Sequence, residues 1–331
     1  MISLISKPSR RQTLKGLACI GALCLSAMAT AQNYPNRPIT LVVAYPPGGS
    51  TDVAARSIAP KLGELLGANV IIDNKPGAST SIGTGYVAKA PADGYTLLMA
   101  VGSTLTLNPA IRPNLPYDPL KSFDPIGQVS RTGLVLIANP KVPINSVAEL
   151  VASAKSAPDK WSYASFGTGT SSHFAGAMAF HAMGTQMMHV PYKGSAPAMN
   201  DLIGGQVPFA VDTTTAVLPQ LKAGKIKALA VASPKRSPLM PQVPTFSELG
   251  YPDVKLESWT MVVAPKGLPA AVQAKLEKAF AGTMADAGVR KRLLDNGLEP
   301  SFSTPAQATA LIESELPMMR ATAVRANIQA D

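Results

Sequence analysis

After residue 31 the chain has no cysteine, because its two, Cys19 and Cys24, both fall in the N-terminal segment. That excludes thiol nucleophiles, disulfides and cysteine metal sites from the rest of the chain, so its stability must come from an ordinary hydrophobic core. No apolar run approaches the roughly 20 residues needed to cross a bilayer core of about 30 Å. No cationic run interleaves with aromatics, which argues against a nucleic-acid partner. Hydrolytic signatures are missing as well: there is no G-x-S-x-G elbow and no H-E-x-x-H. Gly83-Thr84-Gly85 and Gly224-Lys225 complete neither a dinucleotide nor a phosphate-loop pattern. Only three histidines occur, His173, His181 and His189. The first two stand eight apart on an expected helix, about two turns, where a helical metal pair wants about four residues. His181 reads as packing and His189 as structural. No cofactor, metal or catalytic residue is therefore assigned.

The N-terminal segment is an export signal. Lys7, Arg10, Arg11 and Lys15 precede an apolar stretch at 17–27, and Ala29-Thr30-Ala31 forms a small-residue cleavage site. The mature chain is expected to start at Gln32 and to be a soluble periplasmic protein. Ser9-Arg10-Arg11-Gln12-Thr13-Leu14-Lys15 also fits a twin-arginine signal except that Thr13 replaces the favoured Phe, so both export routes stay open. Removing the signal lowers 30 basic residues to 26 against 20 acidic ones, a net charge of +6. About 300 residues suit two domains of about 150.

Strand and helix patterns alternate through most of the mature chain, which predicts an α/β fold with mainly parallel sheets. Strands are expected at 39–44, 70–73, 96–101, 134–138, 161–164, 188–190, 209–212, 226–232 and 259–264. The clearest helices are expected at 146–156, 172–183, 196–203, 269–284 and 305–325, with Pro60 bending or interrupting the first helix of the chain and Pro317 the last. No flexible linker separates the halves. The chain is therefore expected to cross twice between lobes, near 131–133 and 255–258, giving lobe 1 residues 32–132 plus 257–331 and lobe 2 residues 133–256. Such a double-crossing hinge permits closure over a ligand.

Chemistry concentrates at strand-to-helix junctions. Tyr45-Pro46-Pro47-Gly48-Gly49-Ser50-Thr51-Asp52 follows an apolar strand and opens a helix, so free first-turn amides suit an anion, and Gly48 and Gly49 permit close approach. Thr168-Gly169-Thr170-Ser171, leading to His173, repeats the arrangement in the middle of the chain. Either turn alone also reads as plain turn and cap chemistry. Together, at strand carboxyl ends, they read as a clamp for a carboxylate. Tyr192 suits a cleft wall, and Lys193 suits solvent as well as a ligand. Asp212, before Thr213, is expected to order loops or a water, since a buried carboxylate needs donors or an amine on the ligand.

The ordered series of short motifs resembles one family along essentially the whole mature length. It runs from Tyr34-Pro35-Asn36-Arg37-Pro38-Ile39 through Gly48-Gly49-Ser50-Thr51-Asp52, Asn74-Lys75-Pro76-Gly77-Ala78 and Asp93-Gly94-Tyr95-Thr96-Leu97-Leu98 to Leu115-Pro116-Tyr117-Asp118-Pro119. It continues with Val190-Pro191-Tyr192-Lys193-Gly194, Gly204-Gly205-Gln206-Val207, Val243-Pro244-Thr245-Phe246 and Glu248-Leu249-Gly250. The chain is similar in these to the extracytoplasmic solute receptors of tripartite tricarboxylate transporters, the Bug or TctC-like proteins. The resemblance implies a type II periplasmic-binding-protein fold with a ligand cleft between two lobes. It implies a monomer that closes over a small organic carboxylate and delivers it to membrane permease subunits. One carboxylate is then held largely by main-chain amides and bridging waters between Tyr45, Gly49, Ser50, Thr51 and Asp52 on one side and Thr168, Gly169, Thr170 and Ser171 on the other. Ser103, Thr104, His173 and Thr213 are candidates for the selective end, whose polar, uncharged character suits a second carboxylate, including that of an aromatic acid. A sensor docking on a membrane kinase and an exported Ser-His-Asp hydrolase are the alternatives.

Overall fold

The computed structural model describes residues 34–158 and 160–330; the signal and its cleavage site lie outside the described residues. Strands in chain order are β1 (Ile39–Val43), β2 (Val70–Asn74), β3 (Thr96–Val101), β4 (Phe123–Ala138), β5 (Ser162–Ser165), β6 (Met188–Pro191), β7 (Phe209–Thr213), β8 (Lys227–Val231), β9 (Glu257–Pro265) and β10 (Glu299–Pro300). Helices are α1 (Ser50–Leu66), α2 (Ser81–Ala88), α3 (Asn108–Ile111), α4 (Val147–Ser156), α5 (Ser171–Ala182), α6 (Ser195–Gly204), α7 (Thr214–Lys222), α8 (Ala270–Ala285), α9 (Ala287–Asp295) and α10 (Pro305–Arg325). A π-helical turn, Ser103–Leu107, joins β3 to α3.

The strands form one curled sheet in the order β2-β1-β3-β9-β4-β7-β5-β6, with β8 and β10 also paired to β4. Its flanks are parallel: β1 with β2 and β3, and β5 with β6 and β7. The middle is antiparallel, because β4 and β9 run the length of the junction. β4 is a single 16-residue strand. Residues Phe123 to Gly133 pair with β9, and Leu134 to Ala138 pair with β7.

Both faces of the inner strands are covered, which is why they read as unbroken apolar runs. In β1, Ile39, Leu41 and Val43 pack with Ile58 and Leu62 of α1 and Phe280 of α8, while Val42 faces Val87, Leu98 and Ile312. In β4, Leu134 and Leu136 pack with Phe174 and Phe209, and Val135 and Ile137 with Leu202 and Val217. Hydrophobic clusters thus lie to either side of the β4–β9 junction. Burying each such side chain contributes about 1.5–3 kcal/mol, so both sides carry a core of their own.

Neither proline interrupts its helix. α1 continues through Pro60 to Leu66, and α10 continues through Pro317 to Arg325. Both prolines lie on solvent-exposed helix faces, where the carbonyl that loses its helical partner can turn to water. α10 starts with a capping box between Thr304 and Gln307. Its Ala308 and Ile312 pack with the first group of strands, and its Met319 and Ala323 with the second.

Candidate functional site

Four helices begin around one cavity. It is lined by Tyr45, Gly49, Ser50 and Thr51 at the start of α1, by Ser171 of α5, by Gly194 and Ser195 at α6, and by Asp212 and Thr213 before α7; Ser103 and Ser258 close it from the junction. About 460 Å³ of space, part of it open to solvent, lies between the lining atoms, and among the described residues no lysine or arginine lines it. α1 carries Gly49 at its cap with no side-chain cap, so the amides of its first turn are left for a guest. Two hydroxyls in the lining, Tyr45 Oη and Ser171 Oγ, are buried without a hydrogen-bond partner. A buried orphan hydroxyl costs about 1–3 kcal/mol, which a hydrogen-bonding guest would recover.

Asp52 braces the first turn from behind. Its Oδ2 accepts from Gly48 N at 3.0 Å and Arg56 Nε at 2.9 Å, and its Oδ1 from Asn74 Nδ2 at 3.0 Å. Burial alone would raise its pKa, but these donors outweigh burial and hold the carboxyl below the usual range. Neither Asp52 nor Gly48 lines the cavity.

The second turn's amides are already engaged within the protein. Gly169 N donates to His173 Nδ1 at 3.2 Å, Thr170 N to Gly167 O at 3.3 Å, and Ser171 N to Ser103 Oγ at 3.0 Å. Thr170 caps α5 through His173 N and donates its hydroxyl to Gly167 O at 2.6 Å. Gly169 sits at φ +76°, and a Cβ there would come within 2.2 Å of Asn108 Oδ1, so only glycine fits. What this turn offers the cavity is the Ser171 hydroxyl.

His173 supports the turn and does not line the cavity. Its ring stacks on His189 at 3.9 Å between centroids, and His189 Nε2 lies 2.7 Å from Ser165 Oγ. Burial, helped by His189, pushes the His173 pKa down to about 3, so the ring is neutral. Because Nδ1 accepts from Gly169, the proton sits on Nε2. The Ser165–His189 pair resembles a catalytic dyad, but Ser165 is fully buried and does not line the cavity. His181, read from sequence as packing, is exposed on α5, because the usual partial burial of a histidine does not say which face of a helix it takes. Among the described residues no cluster of three metal-ligating side chains exists.

Asp212 is almost fully buried and accepts from Ser195 Oγ at 2.6 Å and Thr213 N at 2.7 Å. It ties the starts of α6 and α7 together. Burial pushes its pKa up to about 6, against the opposing effect of these donors. Thr104 is buried behind Ser103, its carbonyl accepting from Tyr117 Oη at 2.7 Å. Thr168 and Tyr192 line a second, outer hollow with Pro76, Thr80, Phe166 and Lys193. Tyr192 Oη is engaged by Asp201 at 2.7 Å. Between the hollow and the cavity stand the edge-to-face pair Tyr45–Phe166, 6.1 Å apart, and the contact of Pro46 with Gly194. Sequence reading named neither Phe166 nor Ser195 nor Ser258 as site residues. Phe166 and Ser195 border the motifs at 168–171 and 190–194, and only their junction position could have flagged them.

The sequence and fold have counterparts among known proteins. The profile of the tripartite tricarboxylate transporter family receptor, TctC, matches residues 54–326. Protein BugT of Bordetella pertussis is 36% identical over 293 residues, 88% of this chain and 90% of its own. The periplasmic binding protein BugD superposes with a TM-score of 0.86 at 38% identity, covering 90% of this chain and all of BugD. MatC from Rhodopseudomonas palustris with bound malate gives 0.83 at 30% identity, covering 87% of this chain and 99% of MatC, and an R. palustris protein with adipate gives 0.86 at 34%, covering 89% and 99%. The fold is that of the periplasmic binding proteins, and the chain belongs to the TctC/Bug family of solute-binding receptors.

Proposed function

We propose that this receptor binds a small organic carboxylate in the cavity at the start of α1 and presents it to the permease subunits of a tripartite tricarboxylate-type transporter. The observation that carries the reading is the pairing of two orphan buried hydroxyls, Tyr45 Oη and Ser171 Oγ, with an uncapped helix start in one cavity. Two donors and a set of first-turn amides match the acceptor oxygens of one carboxylate. The malate and adipate held by two structural relatives support a ligand that can carry a second carboxylate. The working unit is an exported monomer, cleaved after Ala31, with lobes of 32–132 plus 257–331 and 133–256, and α10 lying across both.

A thermal-shift panel on the chain from Gln32 onward tests this, using mono-, di- and tricarboxylates, aromatic acids and acidic amino acids. A ligand at about 100 Kd adds about 2.7 kcal/mol and raises Tm visibly. A selective shift by one acid is expected. A flat response across the panel, with neutral solutes shifting Tm instead, would overturn the carboxylate assignment.

A further inference from the structure

Glu315 sits on α10 at the point where that helix passes from one group of strands to the other, and it is 9% exposed. Trp259 Nε1 donates to its Oε2 at 2.7 Å. Thr106 Oγ1 lies 2.7 Å from its Oε1 and 2.9 Å from the carbonyl of Gly102. Proton counting decides what this cluster is. A threonine hydroxyl has one hydrogen, and neither a carbonyl nor a carboxylate can supply another. With Glu315 ionised, Thr106 can satisfy Gly102 O or Oε1 but not both, and a buried acceptor is left facing a lone pair at hydrogen-bond distance. A proton on Oε1 resolves the conflict: Oε1 donates to Thr106 Oγ1, Thr106 donates to Gly102 O, and Oε2 accepts from Trp259.

The surrounding charges do not reverse this. The Ser103–Leu107 turn and α3 carry no ionisable side chain. On β4 the charged residues are Asp124, paired with Lys266 at 2.7 Å, and Arg131; on β9 the only one is Glu257, paired with Arg131 at 3.6 Å. Glu313 and Arg320 of α10 are solvent-exposed. Burial, the largest influence, pushes the Glu315 pKa up, opposed by the Thr106 and Trp259 hydrogen bonds and by Arg131.

We propose that Glu315 is carried as a neutral carboxylic acid, and that the chain Trp259–Glu315–Thr106–Gly102 is a positioning device that fixes the Ser103–Leu107 turn for the ligand cavity. That turn matters because Ser103 lines the cavity and its Oγ accepts the Ser171 amide from the opposite side. A π-helical turn is rare and occurs often at functional sites, and this one is held from outside by the Thr106–Glu315 contact. The device is independent of which solute is bound.

The test needs no ligand. Infrared spectroscopy of the mature protein at neutral pH should show a buried carboxylic-acid carbonyl band that disappears in Glu315→Gln. Glutamine keeps the geometry, its carbonyl accepting from Trp259 and its amide donating to Thr106. Amide exchange at Ser171, followed by NMR, should therefore stay within about twofold of wild type in Glu315→Gln and rise about tenfold in Thr106→Val, while the core amide of Leu276 on α8 stays unchanged. Absence of the band overturns the protonation. Disruption by Glu315→Gln as severe as by Thr106→Val, or unchanged Ser171 exchange in Thr106→Val, overturns the positioning role. Should Thr106→Val not fold, the band and the glutamine variant decide the question by themselves.

Discussion

At the scale of single residues, the cavity depends on what is small and on what is neutral. A Cβ built on Gly49 meets no atom within 4 Å, and its φ of −80° suits any residue. Gly49→Val should thus fold with the wild-type Tm yet lose the ligand-induced shift, because its branches stand over the first-turn amides; normal binding by this variant would move the site elsewhere. Two buried titratable groups set acid stability with opposite signs. His173 has its pKa lowered from 6.5 to about 3, so below pH 6.5 the unfolded chain takes up a proton that the fold refuses. Its contribution is intact above that value and is lost as pH falls toward 3, at up to about 1.4 kcal/mol per pH unit. Asp212 has its pKa raised from 3.8 to about 6, so the fold binds that proton first and its contribution, intact below 3.8, is lost as pH rises toward 6. His173→Gln should flatten the loss of urea midpoint on acidification from pH 6.5 to 4.5, and Asp212→Asn should steepen it. Profiles parallel to wild type in both variants would refute the assignment of either group.

At the scale of elements, helix continuity through proline is the sharpest physical statement. Pro60 withholds one backbone donor from α1, yet the helix runs 17 residues, because Ile58 and Leu62 on its inner face are held in the core. Tertiary packing here outweighs a helix penalty of about 3 kcal/mol. Pro60→Ala should then raise the urea midpoint by an amount equivalent to about 1–3 kcal/mol and leave ligand binding unchanged; a loss of stability would mean that the ring itself packs or that the unfolded-state restriction dominates. The same contrast marks what the sequence discloses. Strands such as β1 and β3 and helices such as α5 and α10 were legible, since apolar runs and caps are local signals. The antiparallel centre was not, because β4 extends upstream through Pro125 and Gly127, residues that read as breakers and are accommodated at shifts in its register with β9. Local pattern also located the junction loops that form the cavity, as with Ser50, Ser171 and Thr213. It could not show that the Gly169, Thr170 and Ser171 amides turn inward to His173, Gly167 and Ser103, for such pairings join segments far apart in the chain or depend on one hydrogen-bond geometry.

At the scale of the whole molecule, the two sides of the cavity touch at a place suited to a covalent lock. A Cβ on Gly194 would stand 3.9 Å from the Cβ of Pro46, within the range of about 3.5–4.5 Å that a disulfide requires. These residues flank the cavity from opposite groups of strands, and the chain from Gln32 onward has no cysteine to compete. The double variant Pro46→Cys/Gly194→Cys should therefore form one disulfide on oxidation. Cysteine at position 194 adopts φ +126°, a strain of about 1–3 kcal/mol, so the reduced protein should melt below wild type. If solute enters by separation of the two sides, the oxidised protein should neither take up a carboxylate that binds the wild type nor release one trapped before oxidation, and reduction should restore exchange. Bound carboxylate leaving the oxidised protein at the wild-type rate would instead mean that the route runs past Tyr45 and Phe166 without opening of the cleft. That outcome would place the moving part in a side-chain gate and leave the β4–β9 junction as a rigid support.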